Sequence, residues 1–211
     1  MSATPLVILF AKAPVPGHVK TRLQPRLSPV DAATLQKAFV SDMLEMLQAD
    51  FQMVDLELHT DAPTGDWACY GVSQKLQAAG DLGAKLLFAL TSALADGRPQ
   101  VTVLGSDVPT LPASRLRTLL ASLADVALGP TSDGGYYAIA CRKTHPRMFD
   151  GVAWSGPQAL EETERAIRRC GMTVETGSEW FDVDKPADLD RLLTAADLPR
   201  HTAGWYKSWL A

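Results

Sequence analysis

Basic residues that could bind phosphate are concentrated near the start of the chain. Residues 1–30 contain no acid, and Lys20 and Arg22 lie at the end of a loop with prolines and a glycine that follows an apolar segment. An ammonium group is a mobile point charge, and a guanidinium can bind two phosphate oxygens with its planar fork. The pattern therefore predicts a phosphate-binding loop, with a solvated basic loop as an equally good alternative.

Carboxylates in two later segments could provide the metal side of the same site. Asp107 follows a β-branched segment, and Asp182 and Asp184 alternate with Phe181 and Val183. Extended backbone would place both members of that pair on one face. Mg²⁺ is bound by one or two carboxylates together with substrate phosphates. We therefore predict that Asp107 and one of the pair bind a metal ion, although capping of the next helix would also explain Asp107.

Two turns carry residue types that suit close contact with a ligand. The Asp-Gly-Gly sequence at 133–135 predicts a tight hairpin turn, and its glycines would let a ligand approach the backbone. Asp81 is a good helix N-cap, so the N–H groups that follow it could meet a base or a phosphate. A plain hairpin and a plain helix cap are the alternatives.

The elements that must position these residues follow from the hydrophobic pattern. Strands alternate with helices, which predicts an α/β fold with a mostly parallel sheet whose strand carboxyl ends meet at the ligand-binding edge. A proline at the first turn of the last predicted helix marks its start, and Asp188 there is expected to be structural. The predicted strands are 6–11, 53–59, 100–105, 125–128, 136–141 and 173–175, and the predicted helices are 28–49, 82–95, 113–124, 158–169 and 186–195.

Composition excludes several classes of protein. The 211 residues carry 20 basic and 24 acidic side chains, a net charge of −4, which disfavours a general nucleic-acid binder because such a protein needs a basic surface. The apolar run at 6–10 is too short for a signal peptide, and no segment approaches the roughly 20 apolar residues of a membrane span. Three cysteines without paired spacing predict small buried residues in a reducing, cytoplasmic protein.

The end of the chain is rich in aromatic residues. We expect one domain over residues 1–211, because no linker or repeat interrupts the pattern, with 197–211 as an aromatic C-terminal arm. Trp205, Tyr206 and Trp209 predict that this arm packs back onto the domain or onto a second copy in a homodimer.

Together these motifs resemble one bacterial family over about residues 5–193. It is the glycosyltransferase-like domain family with the GT-A, nucleotide-diphospho-sugar transferase fold, and it is similar to 2-phospholactate guanylyltransferase. The resemblance implies a three-layer, Rossmann-like α/β fold with a nucleotide pocket over the first half of the sheet. The motifs that carry it are 10–23, 80–86, 103–112, 129–140, 152–157 and 181–189.

The resemblance also implies roles for individual residues. It implies a nucleotide or nucleotide-sugar donor, a small-molecule acceptor, and Mg²⁺ or Mn²⁺ as the cofactor. Catalytic roles fall on Lys20, Arg22 and Asp107. The implied nucleotide side is Ala11, Lys12, Lys20, Arg22, Asp81, Gly83 and Ser106, the acceptor side is Asp133, Gly134, Gly135 and Trp154, and the metal ligands come from Asp107, Asp182 and Asp184.

Two departures from related patterns leave the reaction open. Residues 11–14 read Ala-Lys-Ala-Pro where nucleotidyltransferases of this fold commonly have paired glycines. Residues 105–107 read Gly-Ser-Asp, one carboxylate fewer than the Asp-x-Asp of many glycosyltransferases. The main hypothesis is a metal-dependent transferase, with glycosyl transfer and nucleotidyl transfer as its two forms. A non-catalytic nucleotide-binding module on the same fold is the rival hypothesis.

Overall fold

The computed structural model describes residues 4–211 and contains one seven-stranded sheet. Its strand order is β3-β2-β1-β4-β6-β5-β7, and β6 alone runs antiparallel to its neighbours among the described strands. The predicted α/β fold with a mostly parallel sheet is confirmed. The strands are β1 Leu6–Ala11, β2 Asp55–Thr60, β3 Ser73–Leu76, β4 Val101–Gly105, β5 Val126–Pro130, β6 Tyr136–Cys141 and β7 Val174–Thr176.

Helices cover both faces of the sheet and give the three predicted layers. Side chains of β1 alternate between the two faces, so the strand is buried on both sides, as expected for a central parallel strand. Val7 and Leu9 join the core formed with α1 and α3, whereas Leu6 and Ile8 join the core formed with α2 and α4. The helices are α1 Pro29–Asp50, α2 Leu82–Ala95, α3 Ala113–Ala121, α4 Ala159–Arg169, α5 Pro186–Leu193 and α6 Arg200–Leu210.

Most predicted elements occur within a few residues of their expected ends. The predicted helices 113–124 and 186–195 are shorter in the structure, where they end at Ala121 and Leu193. The edge strand β3 was not predicted, because Ser-Gln-Lys-Leu is short and mostly exposed and has no apolar alternation. The 133–135 turn joins β5 and β6 as an antiparallel hairpin, as its sequence indicated.

The aromatic C-terminal arm forms helix α6, which packs onto the chain's own α1. Trp205 is buried in a third core with residues of α1 and α5, and its indole N–H donates to the Asp31 carbonyl at 3.1 Å. This confirms the prediction that the arm packs back onto the domain. It also explains why α1 is buried on most of its sides rather than along one stripe. A homodimer through the arm stays a prediction.

Asp42 on α1 holds the start of α6. Its two buried carboxylate oxygens accept the backbone N–H groups of His201 at 2.7 Å and Thr202 at 2.8 Å, and the Thr202 hydroxyl donates to it at 2.6 Å. We expect Asp42→Ala to lower the free energy of unfolding by about 2–3 kcal/mol, because buried donors lose a charged acceptor. Urea denaturation measures this. Asp50→Ala on the same helix removes an exposed ion pair with Arg117 and should cost less than about 1 kcal/mol; equal losses would contradict this role of Asp42.

The three cysteines are free thiols, so no disulfide framework is present among the described residues. The expectation that all three are buried is wrong for Cys69, which is exposed, and Cys170 is only partly buried; Cys141 is fully buried in β6. Within residues 4–211, no helix combines the length and apolar character needed to cross a membrane.

Candidate active site

The basic loop after β1 turns sharply and directs Lys20 inward. The backbone N–H of Ala13 donates to the Asp61 carboxylate at 2.7 Å, which ties the start of the loop to the end of β2. Lys20 adopts a left-handed backbone conformation with φ 50°, which is unusual for a residue other than glycine. As a result its side chain is only 2% exposed, while that of Arg22, two residues later, is 55% exposed.

Lys20 is engaged on all sides by protein groups. Its ammonium lies 2.8 Å from Oδ1 of Asp107 and donates to the Val183 carbonyl at 2.7 Å. It also lies 4.8 Å from the centroid of the Phe39 ring, a cation–π contact. The Val183 N–H in turn donates to the Asp107 carbonyl at 2.8 Å. Lys20 therefore joins the loop, β4 and the 181–184 segment around Asp107.

The alternative role of Asp107 as a helix cap is wrong. Helix α3 begins at Ala113, and its N-cap residue, Pro112, makes no side-chain capping hydrogen bond. Asp107 instead pairs with Lys20, and its side chain is 45% exposed. Among the described residues, no hydrogen bond reaches its second oxygen, Oδ2. The free oxygen is therefore available to a ligand from the solvent side.

The pair Asp182 and Asp184 lies beside Asp107 on an extended segment. Phe181 and Val183 point into the core and the two aspartates are partly exposed, which confirms the predicted alternation. Asp184 forms a salt bridge with Arg22. Partial burial, followed by repulsion from the carboxylate of Asp133 and then from those of Asp107 and Asp184, raises the pKa of Asp182 to about 6. The carboxylates of Asp107, Asp133 and Asp184 thus lie near enough to Asp182 to repel it, and the solvent-accessible region beside these four carboxylates is here called the opening.

The donor set of this opening fits a hard divalent cation. Carboxylate oxygens are the ligands that Mg²⁺ uses, and their mutual repulsion would be relieved by a positive ion. The oxygens of Asp107, Asp182 and Asp184 do not all lie within 4.8 Å of one another, so one ion could bind all three only if they moved. Asp107 and Asp184 each have one oxygen paired with a basic side chain, Lys20 and Arg22, whereas Asp182 has no such partner among the described residues. Because Asp107 repels Asp182 more strongly than Asp184 does, Asp107 and Asp182 are the pair whose repulsion a cation would relieve most.

The raised pKa of Asp182 predicts how the affinity for a metal ion held by this carboxylate would depend on pH. A proton must leave this carboxyl before it binds a cation, so affinity should fall as the pH drops below about 6. We expect Mn²⁺ affinity to be about tenfold weaker at pH 5 than at pH 7, measured by calorimetric titration. Asp182→Asn should bind Mn²⁺ more weakly but with a flat profile between these pH values. A wild-type profile as flat as that of the variant would contradict the assignment.

Asp81 and Gly83, which the sequence analysis assigned to the nucleotide side of the site, lie at the start of α2. The Asp81 side chain accepts the Ala84 N–H at 2.8 Å, so the N-cap prediction is confirmed. Gly83 faces the indole of Trp154, where a Cβ atom would lie 2.9 Å from Cζ2 and Nε1. Trp154 packs at an angle against Tyr136 and Phe149. The structure therefore brings Gly83 from the nucleotide set into contact with Trp154 from the acceptor set.

The Asp-Gly-Gly turn lies against the same Trp154 loop. Asp133 Oδ1 accepts the Thr131 hydroxyl at 2.6 Å and the Gly135 N–H at 3.0 Å. Gly134 has φ +91°, and a Cβ there would lie 1.9 Å from the Pro157 carbonyl oxygen, so both conformation and space require glycine. Repulsion from the Asp133 carboxylate is one cause of the raised pKa of Asp182.

Three further residues of the predicted nucleotide side differ in their exposure to solvent. Ala11 and Ser106 are buried, whereas Lys12 is exposed at the end of β1. The Ala11 carbonyl accepts from Gln77 at 3.2 Å. Ser106 lies between Gln36 of α1, at 3.0 Å, and the Asp107 carboxylate, at 3.4 Å. The contacts of Ala11, Lys12 and Ser106 with a nucleotide stay predictions.

Several residues of this site were not predicted from the sequence. Phe39 and Val183 read as ordinary core residues, and nothing in their sequence context indicates the contact with Lys20. Gln36 did carry a signal, because it is a polar residue at helical spacing with the buried Val40 and Met43 of α1.

Comparison of the chain with models of protein families identifies the family to which it belongs. Residues 42–156, more than half of the chain, match the model described as "Uncharacterized protein conserved in bacteria (DUF2064)". The chain belongs to the DUF2064 family. The resemblance inferred from the motifs is thereby confirmed at the level of the family.

Proteins that are similar to this DUF2064 chain carry the names of transferases. A crystal structure from Desulfovibrio desulfuricans G20, provisionally named a nucleotide-diphospho-sugar transferase, is 30% identical with a TM-score of 0.85, covering 98% of this chain and 95% of that one. The 2-phospho-L-lactate guanylyltransferase of Methanocella arvoryzae is 27% identical over 179 residues, 83% of this chain and 75% of that protein. A cytidylyltransferase from Leptospira borgpetersenii, 13% identical with a TM-score of 0.56 over 98% of this chain and 93% of its own, shares the fold.

Proposed function

We propose that this protein is a metal-dependent transferase that takes a nucleotide-bearing donor and a small-molecule acceptor. The observation that carries the proposal is the opposition of an exposed guanidinium, Arg22, to the carboxylates of Asp107, Asp133, Asp182 and Asp184 around one opening. Phosphate oxygens of a donor match the guanidinium, and a divalent cation matches the carboxylates. The transferase relatives support the same class of reaction.

The solvent exposure of each side chain determines the role that we assign to it. Arg22 is exposed and can exchange Asp184 for phosphate oxygens, so it binds the donor and stabilises charge that develops there. Lys20 is buried and fixes one oxygen of Asp107, so it orients this carboxylate without reaching the donor directly. Asp107 and Asp182 would hold Mg²⁺ or Mn²⁺, which supplies charge neutralisation at the phosphates. Asp133 and Trp154 lie on the acceptor side.

Nucleotidyl transfer is the form that the guanylyltransferase relative favours. In that reaction an acceptor oxygen attacks the α-phosphorus of a nucleoside triphosphate, the new P–O bond forms, and the bond to the β-phosphate oxygen breaks with release of pyrophosphate. No serine, cysteine or histidine nucleophile is required, since the acceptor attacks directly. Where the acceptor is a hydroxyl, the carboxylate of Asp133 would receive its proton.

Glycosyl transfer is the second candidate, favoured by the likeness to the Desulfovibrio structure over nearly the whole chain. Here the acceptor oxygen attacks the anomeric carbon of a nucleotide sugar, and a nucleoside diphosphate leaves. The two reactions use the same phosphate and metal contacts, so they differ in the leaving group rather than in the donor side of the site.

Product analysis separates these reactions and tests the proposal. The protein is incubated with Mg²⁺, a nucleoside triphosphate or nucleotide sugar, and an acceptor panel that includes 2-phospho-L-lactate. Pyrophosphate release with a nucleotide–acceptor conjugate would establish nucleotidyl transfer, and nucleoside diphosphate with a glycosylated acceptor would establish glycosyl transfer. Metal-dependent binding without turnover across the panel would favour the non-catalytic module, and no binding at all would refute the donor class.

A further inference from the structure

We propose that Gln36 is a positioning residue that aims the Asp107 carboxylate at the metal ion, acting through Ser106. Gln36 lies on α1, away from the opening, and is 1% exposed. It therefore cannot touch a donor or an acceptor in this conformation. The inference rests on the proposed metal-dependent function and assigns that site a residue from a different layer of the fold.

Hydrogen bonds link the three side chains in one direction. The Gln36 amide Nε2 donates to the Ser106 hydroxyl oxygen at 3.0 Å, which leaves the hydroxyl hydrogen free for another acceptor. The hydroxyl can donate that hydrogen to Oδ1 of Asp107, which lies 3.4 Å from its oxygen, a long contact. Lys20 approaches the same oxygen at 2.8 Å. Two groups thus converge on Oδ1, and Oδ2 has no hydrogen-bond partner among the described residues.

Burial of the Gln36 amide is unfavourable for the stability of the fold, and packing alone does not explain a polar residue here. Its carbonyl oxygen, Oε1, is buried and has no hydrogen-bond partner among the described residues. An unsatisfied buried acceptor is unfavourable, and an apolar side chain of similar size would avoid the penalty. The amide N–H donates to Ser106, so control of Ser106 and Asp107 is the function that explains a polar residue at this position.

Removal of the Gln36 amide should weaken metal binding without lowering the stability of the protein. Gln36→Leu should keep or raise the Tm, since it deletes a buried unsatisfied carbonyl, while weakening Mn²⁺ binding about 10–100-fold, as changes behind a metal ligand commonly do. Ser106→Ala should weaken Mn²⁺ binding similarly, and Ser106→Thr, which keeps the hydroxyl, should restore it. Mn²⁺ affinity is measured by paramagnetic resonance titration without any turnover.

Thr102 provides the matched control. It lies on β4, is fully buried, and has a hydroxyl without a partner among the described residues, as Gln36 has an unsatisfied carbonyl. Thr102→Val should leave Mn²⁺ affinity unchanged. Gln36→Leu with wild-type Mn²⁺ affinity, or Thr102→Val with an equal loss of affinity, would overturn the proposal.

A metal-free measurement distinguishes failure of this inference from failure of the proposed function. The carboxyl carbon resonance of Asp107 in isotope-labelled protein should shift in Gln36→Leu and stay in place in Thr102→Val. If wild-type protein binds no Mn²⁺ but the resonance shifts as expected, the positioning role stands and the metal-dependent function fails. If the resonance is the same in Gln36→Leu as in wild type, the positioning role is refuted whatever the metal result.

Discussion

Replacement of Asp107 with alanine should abolish metal-dependent nucleotide binding, with a loss of affinity of at least about 100-fold. Asp107 is the carboxylate that joins the strand end of β4, the buried Lys20 and the 181–184 segment. Its Oδ2 has no hydrogen-bond partner among the described residues, and Asp182, the other proposed ligand, cannot by itself supply both carboxylates. Calorimetric titration of a nucleotide with and without Mn²⁺ measures the effect directly.

Two further variants make this prediction specific. Asp107→Asn keeps an oxygen for Lys20 and so should remain folded, yet it removes the charge and should lose metal-dependent binding as the alanine variant does. Asp190→Ala is the matched control, because Asp190 is also a partly exposed aspartate paired with a base of the N-terminal segment, Arg26. It should bind as wild type does. Unchanged Mn²⁺-dependent affinity in Asp107→Asn would contradict the metal role.

The second large expected effect is on the free energy of unfolding, in which variants of Lys20 and Arg22 should differ. Lys20→Met should lower the free energy of unfolding by about 1–3 kcal/mol, because it leaves the Val183 carbonyl and the Asp107 carboxylate without their buried partner. Arg22→Met breaks an ion pair at the surface and should cost less than about 1 kcal/mol. Urea denaturation of both variants measures the difference.

Donor binding by Arg22→Met provides a second test of this division. Arg22→Met should retain its stability but weaken the donor, since an exposed guanidinium is the group that reaches phosphate oxygens. A stability loss for Arg22→Met as large as that for Lys20→Met would show that the division between a buried organising residue and an exposed binding residue is wrong.

The sequence predicted the sheet well because burial leaves a strong pattern. β1 is apolar at every position, and α2 repeats leucine at helical spacing, so both were predicted with their observed bounds. β3 left no such pattern, because an exposed edge strand needs no apolar alternation.

At the site, residue type was predictable but orientation was not. The alternation around Asp182 placed the carboxylates correctly, since the period of extended backbone is local. The burial of Lys20 depends on its left-handed backbone and on Phe39 from another element, and neither is encoded nearby in the chain. For the same reason the contact between Gly83 and Trp154 appears only when the chain is folded.

The central claim, a metal-dependent site for a nucleotide donor, is tested most directly by thermal unfolding of wild-type protein and Asp107→Asn with a panel of nucleotides and nucleotide sugars, each with and without Mn²⁺. A donor at about 100 times its Kd should raise the wild-type Tm by about 5–10 °C with Mn²⁺ present. The account predicts such a shift for at least one donor, its loss without metal, and its absence in Asp107→Asn. No shift with any donor, or an equal shift in the variant, would contradict it.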